Sequence, residues 1–278
     1  MSTPRTPRKR PAEKRPARTA SSGSSSSTTE RGTPRKRAPE KAARRKRPAG
    51  ERRVRPIMRV KGATKAYSDL VALAPLDLAI APGEQVALVG HNGSGKSTFL
   101  RLAAGLLELS EGSIEIGGEP VGTSPARAIV SFLPDEPVLY DDLSVREHLA
   151  YVAALHGADA PPEALDRLLD RVGLLARADD LPARFSRGLR QKTSIALGLV
   201  RPFKLLLIDE PFVGLDAPGR TSLLELLDEA HADGAAAVVA THDPTYVERV
   251  DRCVALRDGH VIHDGPATPD QVLELVGA

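Results

Sequence analysis

The sequence has few of the residues that build cysteine-based or membrane-spanning structures. Its 278 residues include one cysteine and no tryptophan, with five phenylalanines and four tyrosines. The single Cys253 excludes an intramolecular disulfide and a cysteine-cluster metal site, which is typical of proteins in a reducing cytoplasm. The longest apolar runs, such as IALGLV and AAAVVA, are far shorter than the ~20 residues needed to cross a bilayer. We therefore expect a soluble chain with a core built mainly from Leu, Val, Ile and Ala.

Charge divides the chain into two parts of opposite sign. Residues 1–55 contain 19 basic and four acidic side chains, a net charge of +15, whereas the remainder contains 20 basic and 32 acidic side chains, a net charge of −12. The basic part consists mainly of Pro, Ser, Arg, Lys and Ala. It cannot bury enough apolar surface to offset the entropy of ordering. We predict a disordered tail over residues 1–55 and a folded part over residues 56–278.

Three explanations of the tail remain open. Polybasic segments are attracted to anionic lipid headgroups. They also bind nucleic acid by releasing counterions, although this tail has no aromatic residue for base stacking. The third explanation is a solvated extension, including the case in which translation begins at Met58 and the tail is not made. The composition favours the third explanation over the other two.

The folded part alternates between strand and helix patterns. KLLLIDE and AAAVVATHD are apolar strand patterns, and PGRTSLLELLDEA between them has helical spacing. Such alternation is typical of a parallel sheet covered by helices. Residues 144–200 interrupt it with three helical segments, each of which begins with a capping residue or a proline. The pattern therefore predicts an α/β fold with a helical insertion.

A phosphate-binding loop follows the strand pattern QVALVG. GHNGSGKS, from Gly90 to Ser97, fits G-x-x-x-x-G-K-[ST], and the helical pattern STFLRLAAGLL comes after it. Glycines allow successive N–H groups to face an anion, and the helix start adds its positive end. Lys96 supplies a charge for the β- and γ-phosphates, and Ser97 supplies a hydroxyl for Mg²⁺. The loop predicts nucleotide binding.

Two strand ends carry candidate catalytic residues. LLLIDE ends in Asp209 and Glu210, and burying carboxylates there is unfavourable unless they meet a cation or a polar site. Asp209 can hold Mg²⁺ through water, and Glu210 can accept a proton from the attacking water. His242 ends the strand AAAVVA and is a candidate contact of the γ-phosphate. Alone, the Asp-Glu strand end is equally compatible with a structural role, and a lone histidine is more often structural than catalytic. Beside the phosphate-binding loop, the two strand ends predict a nucleotide hydrolase.

The segment FSRGLRQ, which precedes LLLIDE, identifies the kind of hydrolase. Together with the phosphate-binding loop, the Asp-Glu strand, the GLD sequence and the strand-end histidine, it resembles the ATP-binding subunit of bacterial ABC transporters, in an exporter-like subfamily. The resemblance covers roughly residues 57–270. It implies a P-loop NTPase of ABC ATPase type with a mainly parallel core sheet. It also implies an N-terminal antiparallel β subdomain and an inserted α-helical subdomain over about residues 136–200.

The resemblance implies that two ATPase domains pair head to tail. In the family, a segment that is usually Leu-Ser-Gly-Gly-Gln closes over the ATP of the partner, and Phe185 to Leu189 match it here. Ser186 is then expected to donate its hydroxyl, and Gly188 to leave room for the backbone near the γ-phosphate. Arg187 adds positive charge near that phosphate, whereas Leu189 lacks the usual amide side chain.

Further positions follow from the same resemblance. Tyr67 matches the aromatic residue that stacks on adenine, although packing in the core is its alternative role. Asp216, in GLD, matches the loop that crosses the dimer interface. Asp135 stands where the family usually has a glutamine that contacts Mg²⁺ and touches the membrane partner. The predicted ATP-binding residues are Tyr67, Gly90, His91, Asn92, Gly93, Ser94, Gly95, Lys96, Ser97, Thr98, Ser186, Arg187, Gly188 and Asp216. The predicted Mg²⁺ ligands are Ser97, Asp209 and Asp135, and the predicted catalytic residues are Glu210, His242 and Lys96.

The implied function is ATP hydrolysis that drives transport, and more specifically export, through a separate transmembrane permease. The implied partners are that permease and a second ATPase subunit, identical or related, on the cytoplasmic face of the membrane. One alternative is a soluble ABC ATPase that acts on nucleic acid or ribosomes through its tail. Such proteins generally have two ATPase domains in one chain or a long coiled coil, so nucleic acid is not the expected partner. A second alternative, a subunit without hydrolysis, is disfavoured because Lys96, Asp209, Glu210 and His242 are all present.

Overall fold

The computed structural model describes residues 55–68 and 70–277. Residues 1–54, which form nearly all of the predicted basic tail, lie outside the described residues. Met58 is the first residue of the first strand and is fully buried. No helix in the described part of the chain is long and apolar enough to cross a membrane.

The first sheet is antiparallel and has four strands. Its strands are β1 (Met58–Tyr67), β2 (Leu70–Ile80), β4 (Glu111–Ile116) and β5 (Glu119–Pro120), in the order β2-β1-β4-β5. Burial alternates along β2, where Leu76, Leu78 and Ile80 are buried and the residues between them are exposed. One face of this sheet therefore packs on the core. The predicted N-terminal antiparallel β portion is confirmed.

The second sheet has six strands and is parallel except at one edge. Its strands are β3 (Gln85–Val89), β6 (Val130–Leu133), β7 (Leu205–Asp209), β8 (Ala236–Ala240), β9 (Arg252–Arg257) and β10 (His260–Gly265), in the order β10-β9-β3-β8-β7-β6. Only β10 pairs antiparallel, with β9. Strands β3, β7 and β8 are buried at every position, as expected for a parallel sheet that is covered on both faces. The predicted mainly parallel core sheet is confirmed.

Seven α-helices surround these sheets in the described residues. They are α1 (Lys96–Ala103), α2 (Ser124–Ala128), α3 (Val145–Leu155), α4 (Pro162–Arg171), α5 (Arg187–Leu199), α6 (Ala217–Ala232) and α7 (Pro269–Gly277). Helix α3 begins with a capping box between Ser144 and Glu147, and Ser186 caps α5. Helices α3, α4 and α5 lie where the sequence predicts the helical insertion. Helices α2 and α7 were not predicted from the sequence.

The parallel sheet separates two hydrophobic clusters. Val86 and Leu88 of β3 join a cluster that contains α1 and the antiparallel sheet, whereas Ala87 and Val89 join a cluster that contains α3 to α6. Successive side chains of a strand point to opposite faces, so each parallel strand contributes to both clusters. Both faces of the parallel strands are thereby covered by other elements. The loops at the strand ends are positioned by this scaffold.

Candidate nucleotide-binding site

The carboxyl ends of three neighbouring strands meet at one edge of the parallel sheet. Strand β8 lies between β3 and β7, with Ala240 opposite both Leu88 and Asp209. The glycine-rich loop follows β3, Glu210 follows β7, and His242 comes two residues after β8. Parallel pairing places these three loops together, at the edge where α/β sheets bind ligands.

Two glycines of the loop are required by close backbone contacts. Gly90 has φ of 154°, and a Cβ atom there would lie 2.3 Å from the Leu256 carbonyl oxygen. Gly95 has φ of 104° and immediately precedes α1, and a Cβ atom there would lie 2.8 Å from the Ala72 carbonyl oxygen. A side chain at either position would push the loop away from the strands that support it. The loop can therefore curl with its N–H groups facing an anion.

Lys96 holds its ammonium group beside the loop. The side chain is buried, and Nζ donates to the Gly90 carbonyl oxygen at 2.8 Å and lies 3.4 Å from the His91 carbonyl oxygen. Glu210 Oε1 is 3.7 Å from the same nitrogen. A positive charge is thus fixed between the phosphate-binding loop and the carboxylate that follows β7.

Asp209 provides the donor set of a hard cation. Its side chain is 2% exposed, and Oδ1 has no hydrogen-bond partner among the described residues. Burial raises the pKa of the Asp209 carboxyl, and the charge of Asp135 adds to this effect. A hydrogen bond with Ser97 and the charges of Lys96 and Arg101 oppose it. An orphaned carboxylate oxygen beside a hydroxyl fits Mg²⁺, which takes oxygen ligands and keeps several waters. No three His, Cys, Asp or Glu side chains in the described range are grouped to hold a metal by themselves.

Glu210 and His242 form a pair at the entrance to this site. His242 Nδ1 lies 2.9 Å from Glu210 Oε2, and the Glu210 amide donates to the Ala240 carbonyl oxygen. Glu210 has φ of 47°, which is unfavourable for a residue with a side chain by about 1–2 kcal/mol. Such strain persists only where the surroundings enforce it, and it occurs often at functional sites. The strained backbone places the carboxylate between Lys96 and His242.

A cavity of about 580 Å³ opens in front of these groups, within the range that small-molecule sites occupy. The predicted residues that line it are Asn92, Gly93, Ser94, Gly95, Lys96, Ser97, Thr98, Asp135 and Glu210. It is also lined by Leu70, Val71, Ala72 and Asp258, which were not predicted. The predicted residues outside its lining are Tyr67, Gly90, His91, Asp209, His242, Ser186, Arg187, Gly188 and Asp216.

The unpredicted lining comes from two segments that support the loop. Asp258 lies in the turn between β9 and β10, where the Gly259 amide donates to the Ser94 carbonyl oxygen at 3.0 Å. The Asp-Gly pair is a hairpin signal in the sequence, but its approach to the loop depends on the pairing of β9 with β3. Leu70 and Val71 are exposed apolar residues at the start of β2. They provide an apolar wall that the sequence pattern did not identify.

Tyr67 lies at the end of β1 and is half exposed. Its ring lies 4.9 Å from Lys65 Nζ and does not line the cavity. Adenine stacking by Tyr67 therefore stays a prediction.

The segment FSRG begins α5 and is held by contacts within the chain. Ser186 is exposed, and its Oγ accepts a hydrogen bond from the Leu189 amide at 3.3 Å. A Cβ atom on Gly188 would lie 2.4 Å from the Gly214 carbonyl oxygen. Arg187 Nη2 donates to Asp135 Oδ1 at 2.9 Å. Arg187 is thereby connected to the chain's own cavity, whereas Ser186 and Gly188 do not line it.

Asp216 begins α6 and is also held within the chain. It accepts from the Gly219 amide at 3.1 Å and forms an ion pair with Lys192 of α5 at 2.8 Å. The hydrogen bond from Lys192 lowers the pKa of the Asp216 carboxyl. The segment that contains GLD is therefore connected to the same helix as FSRG.

Comparison with known proteins identifies the family. A family model described as ABC transporter matches residues 73–213. The macrolide export ATP-binding/permease protein MacB 1 of Aeromonas hydrophila is 34% identical over 227 residues, which cover 77% of this chain and 35% of that protein. The aliphatic sulfonates import ATP-binding protein SsuB 2 of Burkholderia cenocepacia is 40% identical over 189 residues, which cover 68% of each protein. This chain thus spans about a third of the length of MacB 1.

Solved structures agree with the sequence comparison. The structure of an ATP-binding subunit of an ABC transporter aligns with a TM-score of 0.72 at 33% identity, covering 79% of this chain and 99% of that one. The ATP-binding cassette MJ0796, in a dimeric post-hydrolysis state bound to ADP and Pi, aligns with a TM-score of 0.68 at 27% identity. This alignment covers 75% of this chain and 98% of that one. The predicted ABC ATPase fold and ATP hydrolysis are confirmed. The chain belongs to the ABC transporter family, in which it is an ATP-binding and ATP-hydrolysing subunit of a transport system.

Proposed function

We propose that two copies of this chain, or one copy and a related subunit, close head to tail around Mg²⁺-ATP and drive a separate permease, in the direction of export. The observation that carries this proposal is the position of Glu210, between Lys96 and His242 at the edge of the cavity. A carboxylate at this point is within reach of the γ-phosphate end of a nucleotide bound on the loop. It can therefore serve as the general base.

The residues divide the hydrolytic step among them. The attacking water gives its proton to Glu210 as its oxygen bonds to the γ-phosphorus and the bond to the leaving ADP breaks. His242 orients the carboxylate through their hydrogen bond, and Lys96 stabilises negative charge on the phosphates. Ser97, Asp209 and Asp135 would hold Mg²⁺, which would supply positive charge to offset the negative charge of the transferred group.

A second subunit is needed because some of the predicted ATP-binding residues, Ser186 and Gly188 among them, do not line the chain's own cavity. Ser186 Oγ accepts the hydrogen bond that caps the helix. Its hydroxyl proton is still able to donate to a phosphate oxygen of ATP bound to the partner subunit. The start of α5 adds the positive end of a helix of 13 residues. The dimeric state of the related MJ0796 cassette supports this arrangement. ATP favours closure because both subunits contact it, and hydrolysis removes that bridge.

A surface cavity next to Asp135 is the proposed docking place of the permease. It has a volume of about 470 Å³ and lies between α1, the segment after β6, α3 and α5. Val138 is 95% exposed, and Pro134 and Glu136, which flank Asp135, line the cavity. An exposed apolar surface of this kind fits an amphipathic helix of a partner. Movement of that helix would displace Pro134 and Glu136 and thereby shift Asp135. Docking would also hold the chain on the cytoplasmic face of the membrane.

The direction of transport and the role of the tail are further parts of the proposal. The relatives include one import and one export protein, and the segments FLPDEPVLYDDLSVREHL and FSRG support export by their resemblance to exporter-type members. We assign residues 56–278 to the ATPase domain, with a helical subdomain over about residues 136–200. We assign residues 1–55 to a basic extension that is solvated or touches anionic lipid.

Replacement of Glu210 by glutamine tests the proposed mechanism. In the complex with the permease, Glu210→Gln should lower ATP turnover at least about 100-fold, because the base is lost. Equilibrium binding of ATP should change by less than about threefold, because the loop and Lys96 remain. Glu225→Gln, at an exposed position of α6, is the matched control and should leave turnover unchanged. Unchanged turnover in Glu210→Gln would overturn the assignment of the base.

A further inference from the structure

Two charged residues stand where the family usually has neutral ones, and they contact each other. Asp135 stands in place of a glutamine, and Arg187 stands in place of a glycine. Arg187 Nη2 donates to Asp135 Oδ1 at 2.9 Å, across 52 positions of sequence. The two departures from the family pattern thus form one ion pair within the subunit.

Asp135 adds negative charge to a cavity that binds an anion. It lines the cavity together with Glu210 and Asp258, and Lys96 is the one basic residue in the lining that the structure describes. An uncompensated carboxylate at Asp135 would repel the phosphates of ATP. Arg187 neutralises this carboxylate from outside the lining.

Arg187 also occupies a position at which an arginine is unfavourable by itself. It is the first residue of α5, and a positive charge at a helix N-terminus opposes the helix dipole. The Asp135 carboxylate offsets this because a negative charge near the same terminus is favourable. Each residue therefore compensates an unfavourable charge of the other.

We propose that Arg187 is a positioning residue that acts on the ATP site of its own subunit, through Asp135. This extends the proposed function, on which it rests. Arg187 holds the Asp135 carboxylate at the rim of the cavity and neutralises it when the nucleotide enters. It also competes with a divalent cation for that carboxylate. Its effect on nucleotide binding therefore depends on the presence of Asp135.

A double-mutant cycle on the full-length chain tests this dependence. Binding of a fluorescent ATP analogue is measured in EDTA for the wild type, Arg187→Gln, Asp135→Gln and the double variant. Arg187→Gln should weaken binding roughly 1.5- to 5-fold, the range expected for a half-exposed ion pair. The same replacement in the Asp135→Gln background should have little effect, because the exposed Arg187 side chain then has no carboxylate to hold it at the cavity and its charge is screened by solvent. The difference in affinity between the wild type and Arg187→Gln should shrink in 0.5 M salt, because exposed charges are screened.

A magnesium titration supplies an independent readout of opposite sign. With a non-hydrolysable ATP analogue present, Arg187→Gln should lower the Mg²⁺ concentration needed for half-maximal enhancement of binding. The reason is that the cation no longer competes with the guanidinium for Asp135. Arg187→Lys retains a charge and should lie between the wild type and Arg187→Gln in both measurements. Thermal unfolding of each variant establishes that it is folded.

Equal effects of Arg187→Gln in both backgrounds would overturn the proposal. Equal effects are expected if Arg187 acts only on ATP bound to the partner subunit. In that case Arg187→Gln should also weaken ATP-dependent dimerisation, with or without Asp135→Gln. Lys96→Ala distinguishes this from failure of the proposed function. If the wild type and Lys96→Ala bind ATP equally poorly, the proposed function fails. If the wild type binds ATP and Lys96→Ala does not, only the role of Arg187 is at issue.

Discussion

Replacement of Asp209 by asparagine is expected to stabilise the protein when no nucleotide or metal is present. The carboxylate is buried at the end of β7, and one of its oxygens has no hydrogen-bond partner in the described structure. A buried polar group without a partner lowers stability by about 1–3 kcal/mol. Asparagine has nearly the same shape and carries no charge. The asparagine amide is still a buried polar group, so the gain comes from removal of the charge, whose burial is more unfavourable than that of a neutral group. With Ser97 still present as a partner, we expect a gain of about 1–2 kcal/mol.

The gain should appear as a higher melting temperature. For a domain of this size, a change of 1 kcal/mol moves the melting temperature by about 2–4 °C, so the expected rise is roughly 2–8 °C. The rise is measured by thermal unfolding at pH 7.5 in EDTA. Addition of Mg²⁺ and a non-hydrolysable ATP analogue should reverse the order of the two proteins, because only the wild type provides the anionic ligand. Binding of a ligand to the folded state alone raises its stability.

The pH dependence of the gain follows from the sign of the pKa shift. Burial raises the pKa of Asp209 in the folded state, so the folded protein disfavours the ionised form. The penalty is present in full above the folded-state pKa and falls as the pH is lowered through it. The difference between Asp209→Asn and the wild type should therefore shrink as the pH is lowered. A lower melting temperature for Asp209→Asn in EDTA at pH 7.5 would refute the reasoning.

Three further replacements test the packing and the charges around the site. Asp216→Asn should lower the free energy of unfolding at neutral pH, because Lys192 lowers the pKa of Asp216 and so stabilises the folded state when this carboxylate is ionised. Urea unfolding at several pH values should show that the difference from the wild type disappears as the pH falls through the lowered pKa. Gly188→Ala should lower stability by about 1–3 kcal/mol through the contact with the Gly214 carbonyl, whereas Gly277→Ala, with no atom nearby, should not, and equal melting temperatures would contradict this. Leu149→Ala, fully buried on α3, should lower stability by about 2–5 kcal/mol, and the exposed Leu155→Ala on the same helix by less than about 0.5 kcal/mol in urea unfolding.

The segments near the phosphate-binding loop show how far sequence patterns extend. GHNGSGKS between an apolar strand and a helix predicts an anion site, because the loop supplies its own N–H groups and its own lysine. Asp209, Glu210 and His242 were predicted to act beside the phosphate-binding loop, since each follows an apolar strand pattern and α/β sheets bind ligands at the carboxyl ends of their strands. The structure places these residues together. Local pattern and sheet direction were sufficient for this part of the site.

Other contacts could not be predicted because they join segments that are distant in sequence. Strands β2 and β3 follow each other across the short turn APGE, yet they belong to different sheets. The turn at Asp258 reaches the loop only because β9 pairs with β3. The hydrophobic pattern of a segment does not show which strands pair, since strand order depends on how helices from distant parts of the chain cover the sheet.

The sequence by itself determined the phosphate-binding loop, the polar strand ends at Asp209, Glu210 and His242, and the alternation of strands and helices. Each of these depends on residues within one short segment or on the direction of neighbouring strands. Only the tertiary structure decided that Arg187 contacts Asp135 and that Lys192 contacts Asp216. These ion pairs depend on the distance between α5 and two separate loops, and that distance is set by the packing of the whole domain. FSRG is therefore a local helix start whose one charged residue, Arg187, contacts a residue 52 positions away in the chain.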